Sequence, residues 1–457
     1  MKTKKWLFYA LLASAVTLSV QSCGDDDPID EGDIENGGGN GGESGGEGGG
    51  SNPDRPIHPS EKMDVAEQQE YLDAQGIKML DMVSAEHINN IYSLVDFAVD
   101  KYADEYSYGT DDVANWFEAC VESITQDMGF GEDEWGGKVH NYTYLFKLSN
   151  FTGHFFAGDQ KWEYQKADDL QFTFKDQYGQ ECVAKVVSSG ATKKVYVGED
   201  EEYNPWGYGY NYDYSYDVYQ NYVYVPEEVK ATLTQNEKVL AELVVHPDLS
   251  SMAGEEFDLS KDNYSLKATT TVEDYKWNIK KAHFKADKGA LLETTFVKGN
   301  EPLVSLIASY DGTLGENAEN VDIKKIAISG DIMKAVQIKG DIKDWNQFYQ
   351  NLEKADDNDQ NESEFKSYLN MANNLMDLGV YYNSDVRQAK IGLMAYEEDY
   401  YGYNGMQKYF DYEPAISFDD GTNYSHFEAF FNEISFKKFL DSLDEFLDGY
   451  DKLVGNK

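Results

Sequence analysis

Arginine is almost missing from this chain: Arg55 and Arg387 are the only two in 457 residues. A phosphate or sulfate site built on bidentate guanidinium forks is therefore not expected. Positive charge is scarce altogether, with 39 Lys and Arg against 84 Asp and Glu and a formal net charge of −45. Such a surface repels nucleic acid and anionic headgroups, which excludes a nucleic-acid partner and favours solubility. Cysteine is sparse too. Only Cys23, Cys120 and Cys182 occur, too few for a disulfide-dense scaffold. In an exported protein Cys120 and Cys182 are candidates for a bridge. Against that, Cys120 sits on an apolar helical stripe, where a free cysteine simply packs.

Catalytic signatures are lacking as well. Seven histidines, His58, His87, His140, His154, His246, His283 and His426, are scattered singly. None pairs at metal-ligand spacing on a helix, and there is no HExxH, GxSxG or phosphate-loop motif. Neither Cys120 nor Cys182 has a cysteine-protease signature around it. A glycosidase needs only two carboxylates, about 5 Å or about 6.5–9.5 Å apart, and so acidic a chain nominates no pair. Read as a calcium loop from Asp357, the acidic stretch 356–362 has Glu362 where Gly belongs and Tyr368 where the closing Glu belongs. It reads as a solvated loop. The expectation leans away from an enzyme, with no cofactor and no metal.

Long apolar runs are also few. Leu7–Val20 is too short to span a bilayer, which takes about 20 residues. It follows Lys2, Lys4 and Lys5 and precedes Gln21, Ser22 and Cys23. A basic start, an apolar stretch and a cut site describe a secretory signal peptide over 1–22. A cysteine at the cut points to lipid attachment; an ordinary signal or a simple anchor is the alternative. Leu18–Cys23 resembles the lipobox of bacterial lipoproteins, with Val20-Gln21-Ser22 in place of the commonest residues. Asp25-Asp26-Asp27 resembles the export tag of surface lipoproteins in the Bacteroidota. The resemblance covers about thirty residues and implies an address. Cys23 becomes the first residue of the mature chain and carries acyl chains such as palmitate. The protein is then held in the outer membrane, facing the exterior. Several chains anchor stably, at about 0.8 kcal/mol per buried methylene.

After Cys23, residues 23–60 form an acidic, Gly-rich stretch with nothing to bury. As a flexible tether of roughly 35 residues it spans about 30–35 Å. Residues 61–137 read as helical, with apolar stripes over 90–102 and from Thr110 to Met128. From 138 to 343 the period changes to two. Leu266 to Val272, Leu292 to Phe296 and Val304 to Tyr310 alternate, and Ile326 with Ile328 and Val336 with Ile338 suggest further strands. Lys288-Gly289, Gly299-Asn300, Asp311-Gly312, Ser329-Gly330 and Gly340-Asp341 read as turns. Connections this short predict an antiparallel meander without crossover helices. Over 344–457 helices are expected at Trp345–Lys354, Phe365–Leu378 and Ser425–Leu453, with strands near 389–396 and 407–418. The expected class is α+β: a large antiparallel meandering sheet packed against N- and C-terminal helices. A separate helical domain made from both ends, flanking a β-rich domain, is the alternative.

One stretch stands out. Tyr203 to Tyr224 holds nine tyrosines, with Trp206 among Pro and Gly. Tyr208, Tyr210, Tyr212, Tyr214 and Tyr216 alternate strictly, which places five phenols on one face of an extended segment. Tyr400, Tyr401 and Tyr403 repeat the composition in miniature. Such loops make adaptable contact surfaces, because the ring is large, rigid and amphipathic; they also serve as cover for a core. The expected role is binding of a glycan or a surface protein. A carrier for an apolar ligand lined by Phe427, Phe430, Phe431, Phe439 and Phe446, or a secreted hydrolase without a motif, are the alternatives.

Overall fold

The computed structural model describes residues 59–83 and 124–454, apart from 133–137, 159–161, 205–214, 253, 257–261, 286–287, 314–321, 403–404 and 433. The chain falls into two compact units. One comprises 1–84 with 282–449, the other 85–281 with 450–457. Strand dominates, in mostly antiparallel sheet, with a few helices.

In the first unit, strands β11 (Gly289–Lys298), β12 (Glu301–Thr313), β13 (Asp322–Ile332) and β14 (Val336–Lys343) pair in sequence order, each antiparallel to the next. The meander continues through β15 (Met376–Tyr381), β16 (Arg387–Gly402), β17 (Gly405–Ser417) and the two-residue β18 (Ser425–His426). Three of the glycine dipeptides expected as turns lie inside strands instead. Gly330 and Gly340 sit within β13 and β14, and Asp311-Gly312 is a bulge near the end of β12. At Gly340 the reason is close approach: φ is +145°, and a Cβ there would lie 1.9 Å from the Asp377 carbonyl oxygen. The real turn between β13 and β14 uses Met333 and Lys334, both with positive φ.

Helices α2 (Trp345–Asp356) and α3 (Glu362–Asn373) are inserted between β14 and β15. Asp344 and Asn361 cap them by accepting from the Gln347 and Glu364 amides. The acidic loop between them therefore serves a helix start, and its Asp359 carbonyl accepts from the Phe410 amide of β17. The helix expected to run to Leu378 stops at Asn373, and Met376–Leu378 belongs to β15.

The N-terminal helix α1 (Val65–Met82) starts on a capping box made by Asp64 and Glu67. It packs on the sheet through Tyr71, which joins a core containing Leu306, Ile338, Phe348, Leu378, Ile391 and Ile416. Buried Gln68 and Gln388 tie this helix to β16. Tyr382 donates to Gln68 Oε1 at 3.0 Å, and the Met63 amide donates to Gln388 Oε1 at 2.8 Å. Burial pushes the Tyr382 phenol well up, and burial with Asp331 nearby pushes Tyr71 up to about 12. The C-terminal element is not one helix. After α4 (Phe427–Phe430), Asn432 Oδ1 takes the Ile434 and Ser435 amides, and α5 (Lys437–Val454) begins anew. Buried Asp73 of α1 accepts from the Phe439 amide at 2.9 Å, a carboxylate at the N-terminal turn of α5.

The second unit is less regular. Its spine is the hairpin of β6 (Glu181–Asn204) and β7 (Ser215–Gln235). The half of β7 away from the tip pairs antiparallel with β8 (Lys238–Asp248), which pairs with β9 (Tyr264–Val272); β9 also pairs with β10 (Tyr275–Lys285). The half nearer the tip pairs parallel with β2 (Lys138–Lys147), which pairs antiparallel with β1 (Thr125–Glu132). Strand β3 (Gly153–Ala157) lies between β4 (Trp162–Gln165) and β5 (Leu170–Lys175), parallel to β5, and β5 pairs with β6. Two parallel pairs thus interrupt the expected antiparallel meander. Strands β3 to β6 supply the chain between β2 and β7, so no helical crossover is needed. Residues 125–128, expected as the end of a helix, open β1. The apolar stripe of 90–102 and Cys120 lie outside the described residues.

Candidate functional site

The two tyrosine-rich segments both close long hairpins. Residues 205–214 connect β6 to β7, and 403–404 connect β16 to β17. Trp206, Tyr208, Tyr210, Tyr212 and Tyr214, and likewise Tyr403, lie outside the described residues. Tyr216 is in β7 opposite Tyr203 and Val139. Tyr400 and Tyr401 are in β16, opposite Gln407 and Met406.

The second hairpin is an arm over most of its length. Strand β15 reaches only to Ile391, and β18 pairs only Ala415 and Ile416. Beyond these, Asn373 of α3 stands in for a missing strand: its side chain donates to the Leu393 carbonyl and accepts from the Leu393 amide, both at 2.7 Å. Phe365 supports the same arm, its ring 6.0 Å from Phe410 and 6.3 Å from Tyr412.

Beside the first tip lies a row of residues that composition alone did not single out. His140, Tyr142 and Tyr144 alternate along β2 and share a face with Phe130 of β1 and Tyr219 of β7. Phe130 stacks on His140 at 4.3 Å, and Tyr219 stacks between Tyr142 and Tyr144 at 5.0 Å from each. A bulge between Asp127 and Gly129 shapes the edge of this row. Gly129 takes φ of +83°, and its amide donates to Asp127 Oδ1 at 2.7 Å. The same oxygen lies 2.8 Å from His140 Nε2, and Tyr142 Oη lies 2.8 Å from His140 Nδ1. The Gly129 amide, and then the His140 ring, hold the Asp127 carboxyl below the usual carboxylate range. His140 is buried, while Asp127 is largely exposed. Opposite His140 in register is Asp217, whose buried Oδ1 has no hydrogen-bond partner among the described residues. Asp217 is two residues from Ser215, about 7 Å along a strand at roughly 3.3 Å per residue, so the row runs up to where the tyrosine-rich tip begins. The signal for it was the alternation His140-x-Tyr142-x-Tyr144; nothing local pointed to Asp127.

Other sequence candidates resolve into structure. Cys182 is free and fully buried with Phe174 and Leu240, and burial pushes its thiol up. Phe430 and Phe436 belong to the core of the first unit, and Phe439 is buried over Gly76. Phe427 and Phe431, also candidates for lining a carrier site, are partly buried against that same core. Among the described residues no group of three or more His, Cys, Asp or Glu is placed to hold a metal ion, and no helix is long and apolar enough to cross a membrane. Comparison with known proteins finds no matching family model, no matching curated protein and no matching solved structure.

Proposed function

We propose that this chain is a lipid-anchored protein of the outer membrane that binds a glycan or a surface protein through its tyrosine-rich hairpin tips. The observation that carries the reading is their position. Both segments close long hairpins, one an arm with few partners and one running beside an aromatic row. A tip at the end of paired strands is a rigid mount for an adaptable loop. Tyrosine offers a flat ring for stacking and a hydroxyl for hydrogen bonding, and the acidic and amide residues between suit sugar hydroxyls. The address rests on Cys23 and the residues around it. Acyl chains there, followed by the Gly-rich tether, display the folded units away from the membrane.

The test is a glycan array and a surface-protein pull-down with the mature chain. Binding is expected to fall at least tenfold in a variant carrying Trp206→Ala, Tyr208→Ala and Tyr212→Ala, since each stacked ring contributes roughly 0.5–1.5 kcal/mol. Binding that survives all three removes the first tip from the reading. Cys23→Ala should release the protein from the membrane fraction and abolish palmitate labelling.

A further inference from the structure

The row on β1 and β2 holds a chemistry that recognition by the tips does not use. Asp127 is a carboxylate and can only accept, so His140 Nε2, 2.8 Å away, carries the proton. In the neutral ring His140 Nδ1 then presents a lone pair, and the Tyr142 hydroxyl, 2.8 Å away, donates to it. Phenol, imidazole and carboxylate stand in one chain. The base is within reach of a nucleophile and is itself oriented by a third group. The bulge amide of Gly129 fixes Asp127 Oδ1 where the ring needs it, and Tyr219, stacked within 14° of the Tyr142 plane, fixes the phenol.

We propose that Tyr142 is a nucleophile toward activated carboxylic esters, with His140 as its general base and Asp127 as the positioning residue. Tyr142 Oη attacks the carbonyl carbon while its proton passes to His140 Nδ1. The imidazolium so formed is held by Asp127 through Nε2–H, with the Asp217 carboxyl opposite in register. The tetrahedral intermediate collapses, the bond to the leaving group breaks, and that group departs with the proton from His140. An acyl-tyrosine remains. Water then adds by the same route, releases the carboxylic acid and restores the phenol. An acyl-tyrosine is an aryl ester, so the donor needs a leaving group at least as good as a phenolate. The substrate class is therefore aryl esters and thioesters rather than alkyl esters. The proposal requires neither Trp206 nor Tyr208, so it stands or falls apart from the binding role of the tips.

The mature chain is incubated with p-nitrophenyl acetate, and acetylated tyrosine is located by peptide mass spectrometry. Acetylation concentrated on Tyr142 among the 35 tyrosines is expected. His140→Gly should slow that labelling by about 100-fold or more, the usual reach of a general base. Imidazole added to His140→Gly should restore labelling selectively at Tyr142, above the even acetylation of exposed tyrosines that acetylimidazole formed in solution gives any variant; a purely structural role of the ring gives no such selectivity. Tyr142→Phe keeps the ring and its stack, so it should fold while losing the label and the rapid first turnover. Labelling spread evenly over the tyrosines, or an undiminished first turnover in Tyr142→Phe, overturns the proposal.

Discussion

The two units use aromatic residues in opposite ways. In the first, rings point inward: Phe365 is fully buried, Tyr382 is 1% exposed, and Phe430 and Phe436 pack with the sheet residues Leu378, Ile391 and Ile416. In the second, Phe155 and Phe174 are buried, but the rings on β1, β2 and β7 stand in a row across strands that reaches the surface. Phe130 is 62% exposed while stacked on His140. Its described clusters are small: Phe174 with Cys182 and Leu240, and Ile124 with Phe151. In the first unit helix residues Tyr71, Phe348 and Ala372 share one core with the sheet residues, which removes those apolar side chains from water. The second spends its aromatic residues on cross-strand stacking, which holds strands in register and leaves ring edges available. The difference separates a scaffold from a surface, and it explains why the candidate chemistry collects near the tip of β6 and β7.

The largest effect should come from the scaffold. Phe365→Ala removes a fully buried ring that also props the β16–β17 arm, and it should cost about 3–5 kcal/mol. Denaturant unfolding, with hydrogen exchange read over α2, α3 and β17, measures it. A loss below about 1 kcal/mol would mean the helices are not the principal cover of that sheet face.

A smaller effect is expected from the surface row. Tyr219→Ala removes two stacks at once, and at about 0.5–1.5 kcal/mol each the loss should be roughly 1–3 kcal/mol. Faster exchange should appear at the amides of β2 and β7 while α2 and α3 stay protected. Equal losses from Tyr219 and Phe365 would erase the contrast between the units.

That contrast was only partly legible in the sequence. Period-two alternation marked β9 and β11 to β14, and in β12 to β14 it follows the core, where Leu306, Ile328 and Ile338 are buried. Glycine misled inside the meander: a residue that allows a turn also allows two backbones to touch, and at Gly340 the neighbour decides which. Met376 and Leu378 fit a helical stripe as well as a strand, so the end of α3 was hidden until Ile391 was in place opposite Leu378. Asn432 broke the expected last helix by capping its own turn, a signal readable only in retrospect. The parallel pairing of β2 with β7 depends on partners some eighty residues apart, which no local pattern encodes. For the same reason the tyrosine-rich tips were visible as composition, whereas the Asp127–His140–Tyr142 chain was not. It needs a hairpin register and a bulge to bring a carboxylate thirteen residues back onto the ring.

The smallest effect distinguishes the units by pH. Each has an exposed carboxylate that organises a local turn: Asp127 in the second, and in the first Asp419, which accepts from the Asn423 amide at 2.7 Å and from Ser417 Oγ at 2.7 Å. The Asn423 amide, then the Asn423 side chain and the Ser417 hydroxyl, bring Asp419 down to about 2. A carboxyl lowered on folding adds stability that is fully present above its unfolded value, near 3.9, and is lost as pH falls through the folded value. Between about pH 4 and pH 2 the wild-type first unit should therefore lose stability that Asp419→Asn has already given up, and the two midpoints should converge in acid. Asp127 is lowered in the same direction, so Asp127→Asn should do likewise in the second unit, read by exchange at β1 and β2. Exposure to solvent keeps both effects small. If acid acts on β1 and β2 no differently in Asp127→Asn than in wild type, the Asp127 carboxylate does not hold the bulge, and His140 keeps its orientation without that carboxylate, with the Phe130 and Tyr142 rings 4.3 Å from it among its supports.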